Sequence, residues 1–167
     1  FTLRNGSPDN LRAMTGKLYA EKILIVRENQ VTPFHFHFQK MEDIINRGGG
    51  VLLIQVFNAT PDGDDVTDTD VTVSLDGVIH VVKAGETLAL NPGESITLPT
   101  RLYHKFWGAS GEGPVLVGEV SRVNDDAFDN RFLEEIGRFP AIEEDEEPLY
   151  LLVSDYDRYY RPKASIG

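Results

Sequence analysis

The sequence predicts an all-β domain of the sandwich or barrel class. Short apolar or alternating runs recur through 19–121 and are separated by turn residues. Asp76-Gly77, between the runs 71–75 and 78–82, is a strong signal for a two-residue hairpin. No long segment of helical periodicity interrupts this series. Roughly eight to ten short strands in one chain of this length are typical of sandwiches and barrels.

The strands follow one another in chain order. Residues 1–16 are rich in Gly, Asn, Ser, Pro and Asp, and we expect them to be irregular. Gly48-Gly49-Gly50 is expected to hold positive φ angles or a close backbone approach. Strands are predicted over 19–27, 32–39, 51–58, 71–75, 78–82, 86–90, 94–98, 102–107 and 115–121.

The residue pattern changes after the last of these strands. Residues 125–138 begin with acids and a candidate N-cap, and their apolar residues have helical spacing, which predicts an amphipathic helix. After an acidic run, 149–153 is predicted as a returning strand and 156–161 as an aromatic tail packed on the barrel. We therefore expect one domain over 1–167, with a short C-terminal helix and a tail.

Composition excludes several classes of partner. A net charge of −11 argues against nucleic acid and anionic membranes. No apolar run approaches the roughly 18–20 residues of a transmembrane helix. The chain begins at Phe1, with neither an initiator Met nor the regions of a signal peptide. Because the Met is absent, we expect that an N-terminal extension is missing. The absence of cysteine excludes disulfides and thiolate ligands and is compatible with the cytoplasm, where we expect the protein.

Two histidines and a glutamate form the first half of a candidate metal site. On a strand over 32–39, His35 and His37 project to one face, and the phenylalanines between them to the other. Glu42 follows just beyond this strand. Imidazole and carboxylate groups together suit divalent transition metals. A His-x-His pair alone is more often polar decoration on a strand, so the interpretation depends on further ligands.

A later segment supplies the second half. His104 follows Pro99 by five residues, on a predicted strand. The two segments resemble the two sequence motifs of the cupins, which are double-stranded β-helix (jelly-roll) barrels. Arg101 and Gly108 depart from the second motif, but neither is at a ligand position. The matching residues are His35, His37, Glu42 and Gly49 in the first motif, and Gly93, Pro99 and His104 in the second. The resemblance implies a metal bound by His35, His37, Glu42 and His104, with Mn²⁺, Fe²⁺, Co²⁺ or Zn²⁺ compatible with these donors.

Three other residues near these ligands could contact a substrate. Lys40 lies between His37 and Glu42 and could contact substrate oxygens or move a proton, although a solvated lysine is an equal alternative. Lys22 is a weaker candidate of the same kind. Trp107 follows His104 by three residues and could stack on a sugar ring or pack in the core.

Three longer stretches carry a closer resemblance. HFHFQKMEDIINRGGG, EVSRVNDDAFDNRF and IEEDEEPLYLLVSDY resemble the D-lyxose isomerase family of sugar isomerases, and the likeness extends over 17–159. It implies a cupin barrel, Mn²⁺ and usually a homodimer. It also implies an intramolecular oxidoreductase that interconverts D-lyxose with D-xylulose and D-mannose with D-fructose. The second stretch is dense in hydrogen-bonding groups, which suits a polyhydroxylated substrate; a capped helix start is the alternative.

The implied reaction moves a carbonyl group from C1 to C2 through a metal-stabilised cis-enediol(ate). A carboxylate is expected as the base, with Glu135, Glu134 and Asp126 as candidates. Lys40 would assist at the oxygens and Arg131 would bind distal hydroxyls. Two alternatives stay open: an Fe²⁺-dependent cupin dioxygenase with the same ligands, and a non-enzymatic sugar-binding cupin.

Overall fold

The computed structural model describes residues 1–125, 128–134, 145–147, 149–151 and 159. The chain divides into two compact units, Phe1–Ile136 and Gly137–Gly167. All strands and the helix named below lie in the first unit. Within the described residues, no helix is long and apolar enough to cross a membrane. That the whole chain is one domain stays a prediction.

The first unit consists of two antiparallel sheets. The larger sheet has the strand order β1-β2-β11-β4-β9-β6-β7, and the smaller has β12-β3-β10-β5-β8. The elements in chain order are β1 (Thr2–Arg4), α1 (Pro8–Ala13), β2 (Tyr19–Val26), β3 (Thr32–His37), β4 (Glu42–Gly49), β5 (Leu52–Asn58), β6 (Val71–Leu75), β7 (Val78–Val82), β8 (Thr87–Leu90), β9 (Ser95–Leu98), β10 (Leu102–Gly108), β11 (Val115–Arg122) and β12 (Asn130–Phe132).

The core lies between the two sheets because alternate side chains of each strand point inward. In β5, for example, every second residue is buried. The buried core cluster draws on both sheets and includes Ile44, Leu52, Ile54, Val56, Val73, Ile96, Leu98, Phe106 and Val117. This arrangement confirms the predicted all-β, cupin-type jelly-roll barrel. The predicted hairpin is also confirmed, since Asp76 and Gly77 both have positive φ, 48° and 82°.

The N-terminal prediction is wrong, because 1–16 contains β1 and α1. The side chain of Ser7 accepts a hydrogen bond from the backbone N of Asn10 at 3.1 Å and caps the helix. Pro8 occupies the first turn, where a missing N–H costs nothing. The sequence Ser7-Pro8-Asp9 therefore carried a helix-start signal that the composition of the segment obscured.

The predicted helix over 125–138 is wrong at Asn130–Phe132, which form β12. This strand pairs antiparallel with β3, and the N–H of Leu133 continues the pairing to the carbonyl of Phe34 at 3.0 Å. Pairing with β3 satisfies backbone groups of both segments, which outweighs the local helical pattern. The rest of the predicted helix includes 126–127 and 135–138, which lie outside the described residues.

The two remaining C-terminal predictions fall largely outside the described part of the chain. Of the strand predicted over 149–153, only 149–151 is described, and these three residues are not in a strand. Of the tail predicted over 156–161, only Tyr159 is described.

Candidate metal centre

The four predicted ligands converge in the structure. His35 and His37 lie on β3, and His104 lies on the neighbouring β10, directly opposite His35 in the register. Glu42 begins β4 in the other sheet. All four side chains are buried, and one ligand atom from each lies within 4.8 Å of the others. The group therefore joins the two sheets through side chains that could hold one metal ion.

Backbone carbonyls fix the tautomer of all three imidazoles. The Nδ1 atoms of His35, His37 and His104 lie 2.8, 3.1 and 2.9 Å from the carbonyl oxygens of Pro33, Asp129 and Leu102. A carbonyl oxygen only accepts, so each Nδ1 carries the hydrogen and each Nε2 keeps its lone pair. Such a second contact is what orients imidazoles that bind metals.

The atoms that face one another in this group lack ordinary partners. The Nε2 atoms of His37 and His104 are buried and make no hydrogen bond. They lie 3.3 and 3.0 Å from Oε1 of Glu42, so lone pairs face a carboxylate oxygen. A buried arrangement of this kind is unfavourable on its own and is stabilised by a cation between the donors. The residues present therefore fit a divalent metal.

The charge states agree with that fit. Burial, followed by the neighbouring His104 and His37, holds the pKa of His35 well below its usual value, so the ring is neutral and its lone pair is available. Burial alone would raise the pKa of Glu42, but contacts with His104 and His37 outweigh it and leave that pKa well below its usual range. The group thus offers a neutral nitrogen donor at His35 and an ionised carboxylate at Glu42.

A group of paired charges lies beside the ligands. The Nζ of Lys40 lies 2.7 Å from Oε2 of Glu42, in a contact without hydrogen-bond alignment, and 2.7 Å from Oε1 of Glu119. Lys22, opposite Glu119 on β2, approaches the same Oε1 at 3.3 Å and the Oδ1 of Asn124 at 2.7 Å. Two ammonium groups thus balance two carboxylates, which makes their burial tolerable.

The pKa of Lys40 is raised. Burial alone would lower it, but the charges of Glu42 and Glu119 outweigh burial. Lys40 is therefore an ammonium group aimed at a metal ligand and at a second buried carboxylate.

Two other candidates point away from the ligands. Trp107 differs from His104 by an odd number of positions on β10, so it lies on the outer face of the smaller sheet, where the Nζ of Lys105 is 5.4 Å from its ring centre. Arg131 also faces outward and pairs with Asp64 at 2.5 Å. The structure therefore does not bring these two residues to the metal ligands.

The three candidate bases have different outcomes. Glu134 is exposed and lines a cavity of about 270 Å³ together with Lys105 and Phe34, on the outer side of β3. Asp126 and Glu135 lie outside the described residues. None of the three is thus seen at the ligand group in the described part of the chain.

Sequence reasoning missed Glu119, Asn124 and Asp129 as individual site residues. Glu119 shares the inner face of β11 with Val115 and Val117. A single acid among the apolar residues of one strand face could therefore have been predicted as a buried functional residue. The other two follow the strand, and no periodic pattern predicts where their side chains lie. Phe132 was also missed; its ring centre lies 5.5 Å from that of His35.

Comparisons with known proteins agree with this geometry. A family model described as D-lyxose isomerase matches residues 1–156. A D-lyxose/D-mannose isomerase from Serratia proteamaculans is 56% identical over 160 residues, which cover 95% of this chain and 68% of that protein. A protein of the same description from Escherichia coli O157:H7 is 51% identical over 159 residues, covering 95% and 69%.

A solved structure shares the fold at lower identity. The L-ribose isomerase of Cellulomonas parahominis with L-ribose has a TM-score of 0.56 and 18% identity, covering 80% of this chain and 68% of its own. The family match over most of the chain and the identity to both relatives settle the assignment: the chain belongs to the D-lyxose isomerase family and is a sugar isomerase that interconverts an aldose and a ketose.

Proposed function

We propose that this isomerase interconverts D-lyxose with D-xylulose and D-mannose with D-fructose, using a divalent metal bound by His35, His37, Glu42 and His104. The observation that carries the proposal is the group of buried, unpartnered Nε2 atoms around an ionised carboxylate. The descriptions of both relatives support the choice of sugars. We propose Mn²⁺ as the metal, while Co²⁺, Fe²⁺ and Zn²⁺ also suit these donors.

The bound metal would supply Lewis-acid polarisation of the sugar oxygens. The chain would supply the proton transfer. We propose Glu119 as the base, because it is buried and one lysine away from the ligand Glu42. Its carboxylate would take the proton from carbon 2 of the aldose and return it to carbon 1, through a cis-enediol. Asp126 and Glu135 stay candidates from the sequence, while the exposed Glu134 is a weaker one.

The neighbouring residues suggest how the sugar would be oriented. Lys40 and Lys22 carry ammonium groups that could donate hydrogen bonds to the oxygens on carbons 1 and 2. Asn124 adds an amide at the same position. Phe132, beside His35, offers an aromatic face for the apolar side of a sugar, a role that the sequence had suggested for Trp107.

An NMR assay in D₂O tests this function. The Mn²⁺-loaded protein should convert D-mannose to D-fructose and D-lyxose to D-xylulose, and solvent deuterium should appear on carbon if Glu119 exchanges its proton. Chelation or His104→Ala should abolish turnover. His80→Ala, which changes an exposed histidine on β7, is the matched control and should keep full activity.

Several results would contradict the proposal. Undiminished turnover in His104→Ala would exclude the metal site. Isomerisation without deuterium uptake would leave two routes, a hydride shift or internal return of the abstracted proton. Oxygen consumption without isomerisation would favour an Fe²⁺-dependent dioxygenase. Saturable sugar binding without turnover would favour a binding protein.

We also propose that the protein is a cytoplasmic homodimer. The family resemblance implies the dimer, and an exposed apolar area on the larger sheet supports it: Ile25 and Leu116 lie opposite each other on β2 and β11 and are 60% and 42% exposed. Sedimentation analysis tests the dimer, and fractionation of cells that express the protein from its own gene tests the location.

A further inference from the structure

Asp129 contacts the turn that carries two of the metal ligands. One carboxylate oxygen accepts a hydrogen bond from the backbone N of Gln39 at 2.7 Å, and the other accepts one from the N of Lys40 at 3.0 Å. These two amides lie between the ligands His37 and Glu42. The carboxylate is buried, since Asp129 is only 5% exposed. Both of its oxygens are therefore engaged by consecutive amides of a single turn.

The main chain of the same residue makes a third contact. The carbonyl oxygen of Asp129 lies 3.1 Å from Nδ1 of His37, which fixes the tautomer of that ring. The N–H of Asp129 donates to the carbonyl of Asp125 at 3.0 Å, so the residue is itself held in place. Directly after it, β12 pairs with β3, and Asn130 lies opposite His37. One residue thus connects the segment before β12 with a ligand ring and with the ligand turn.

We propose that Asp129 is a positioning residue for the metal centre: its carboxylate and carbonyl together hold the ring of His37 and the backbone of Lys40 in the arrangement that binds the metal. Asp129 is not one of the four residues whose candidate ligand atoms converge, and it acts through His37 and Lys40. A carboxylate suits the role because it is an acceptor at both oxygens, whereas an amide would turn an N–H group towards one of the two N–H donors. The expected effect of Asp129 on turnover rests on the proposed isomerase function. Its expected effect on metal affinity does not require that the protein isomerises a sugar.

Asp129→Asn tests the proposal through metal affinity. Co²⁺ is titrated into the metal-free full chain and followed by its visible absorption. Loss of an outer contact of this kind is expected to weaken binding by roughly 10-fold or more. Asp125→Asn is the matched control, because Asp125 lies on the same segment and its carboxylate accepts a hydrogen bond from the backbone N of Phe128. The control should bind Co²⁺ as the wild type does.

A second readout separates positioning from a general loss of stability. In the metal-free protein, the ¹⁵N chemical shifts of the His37 ring should report a single Nδ1–H tautomer, and Asp129→Asn should mix the tautomers. A residue important only for stability would lower the thermal midpoint without changing these shifts or the Co²⁺ affinity. Wild-type affinity and wild-type shifts in folded Asp129→Asn would overturn the proposal, as would an equal loss of affinity in Asp125→Asn.

Asp129→Glu decides the matter if the asparagine variant does not fold. It keeps the charge but displaces both oxygens by one methylene, so Co²⁺ binding should again weaken. Wild-type Co²⁺ affinity in this variant would overturn the proposal. A wild-type protein that binds Co²⁺ but isomerises no sugar would contradict the proposed function while leaving this comparison decisive.

Discussion

The buried charge of Lys40, beside the candidate metal ligands, depends on two partners of opposite sign. Lys40 is 2% exposed and lies between Glu42 and Glu119. An ammonium group loses its hydration on burial, and only short contacts with carboxylates compensate for that loss. The raised pKa of Lys40 reflects this balance and indicates that the amine stays charged while it faces the site.

Lys40→Met should therefore destabilise the metal-free protein. The substitution removes an ammonium partner from both Glu42 and Glu119, although Lys22 stays beside Glu119 at 3.3 Å. Breaking a buried pair of this kind costs about 3–5 kcal/mol. Lys83→Met is the control: its pair with Asp70 at 2.8 Å is exposed, and water screens such pairs so that they contribute little to stability. Urea denaturation gives both values. Equal losses of unfolding free energy in the two variants would show that burial does not strengthen the effect of removing Lys40.

Glu119→Gln should reduce turnover, measured as kcat per folded protein. The amide keeps the size and an oxygen acceptor for Lys40 but cannot take a proton, so kcat for D-mannose should fall by roughly 10²-fold or more. Glu21→Gln, which changes an acid on the outer face of β2, should leave kcat unchanged. A kcat for Glu119→Gln within twofold of the wild type would return the role of base to Asp126 or Glu135.

At the scale of elements, the end of β4 depends on a glycine. Gly49 has φ 95°, and an added Cβ would lie 2.2 Å from the carbonyl oxygen of Pro114 on the segment leading into β11. Gly77 has a similar φ of 82° but open space around it. Gly77→Ala should therefore cost about 1–2 kcal/mol of backbone strain, and Gly49→Ala should cost more, since two backbone segments must separate. Denaturant midpoints of the two variants test this order.

Glu28 ties β2 to the loop before β11 and should make stability depend on pH. Its two oxygens accept hydrogen bonds from the N–H groups of Gly111 at 3.0 Å and Gly113 at 2.8 Å, and these bonds lower its pKa. A lowered folded-state pKa adds stability above the unfolded-state pKa of about 4.3, and that stability is lost as pH falls through the folded-state pKa. Glu28→Gln should thus be less stable than the wild type at neutral pH. The difference in stability should shrink as the pH falls below about 4.3 and should vanish below the folded-state pKa.

Urea midpoints at several pH values measure this gap. Glu112→Gln, which changes an exposed acid in the same loop, serves as the control and should show no comparable dependence on pH. If the stability difference between the wild type and Glu28→Gln were the same at neutral and acidic pH, the hydrogen bonds from the two glycine amides would not depend on the charge of Glu28.

Nine of the strands were predictable from sequence because each carries its own apolar or alternating pattern, whereas β1, β4 and β12 were not predicted. The sequence also did not show which strands pair. β8 and β9 follow one another closely yet belong to different sheets. The location of β12 depends on the edge of β3, which lies far away in the sequence. The local pattern of 125–138 therefore predicted a helix where the structure has a strand. Trp107 could have been excluded, since an odd offset from His104 on a strand means the opposite face. The convergence of the four candidate ligands was predictable because the spacing of the two motifs encodes their positions.

At the scale of the whole molecule, the candidate metal site forms where the two sheets pack together. The smaller sheet provides three histidines through β3 and β10, and the larger sheet provides Glu42 through β4. The complete donor set therefore exists only when the two sheets face each other. A metal that binds this set and not the unfolded chain stabilises the packed barrel by mass action, so folding and metal binding are thermodynamically linked.

The outer face of the larger sheet is where a second copy should bind. Leu116→Lys would place a charge in the apolar area that it forms with Ile25, and burying that charge without a partner in a dimer is costly. The wild type should therefore sediment as a dimer and Leu116→Lys as a monomer. Ile79→Lys changes another exposed apolar residue, on β7 at the far edge of the sheet, and should stay dimeric. A dimer in Leu116→Lys, or a monomeric wild type, would show that this area is not the subunit interface.

The same variant tests whether one subunit contains a complete site. If monomeric Leu116→Lys keeps full turnover, each subunit contains a complete site. If it loses turnover but binds Co²⁺ normally, the partner subunit completes the substrate pocket.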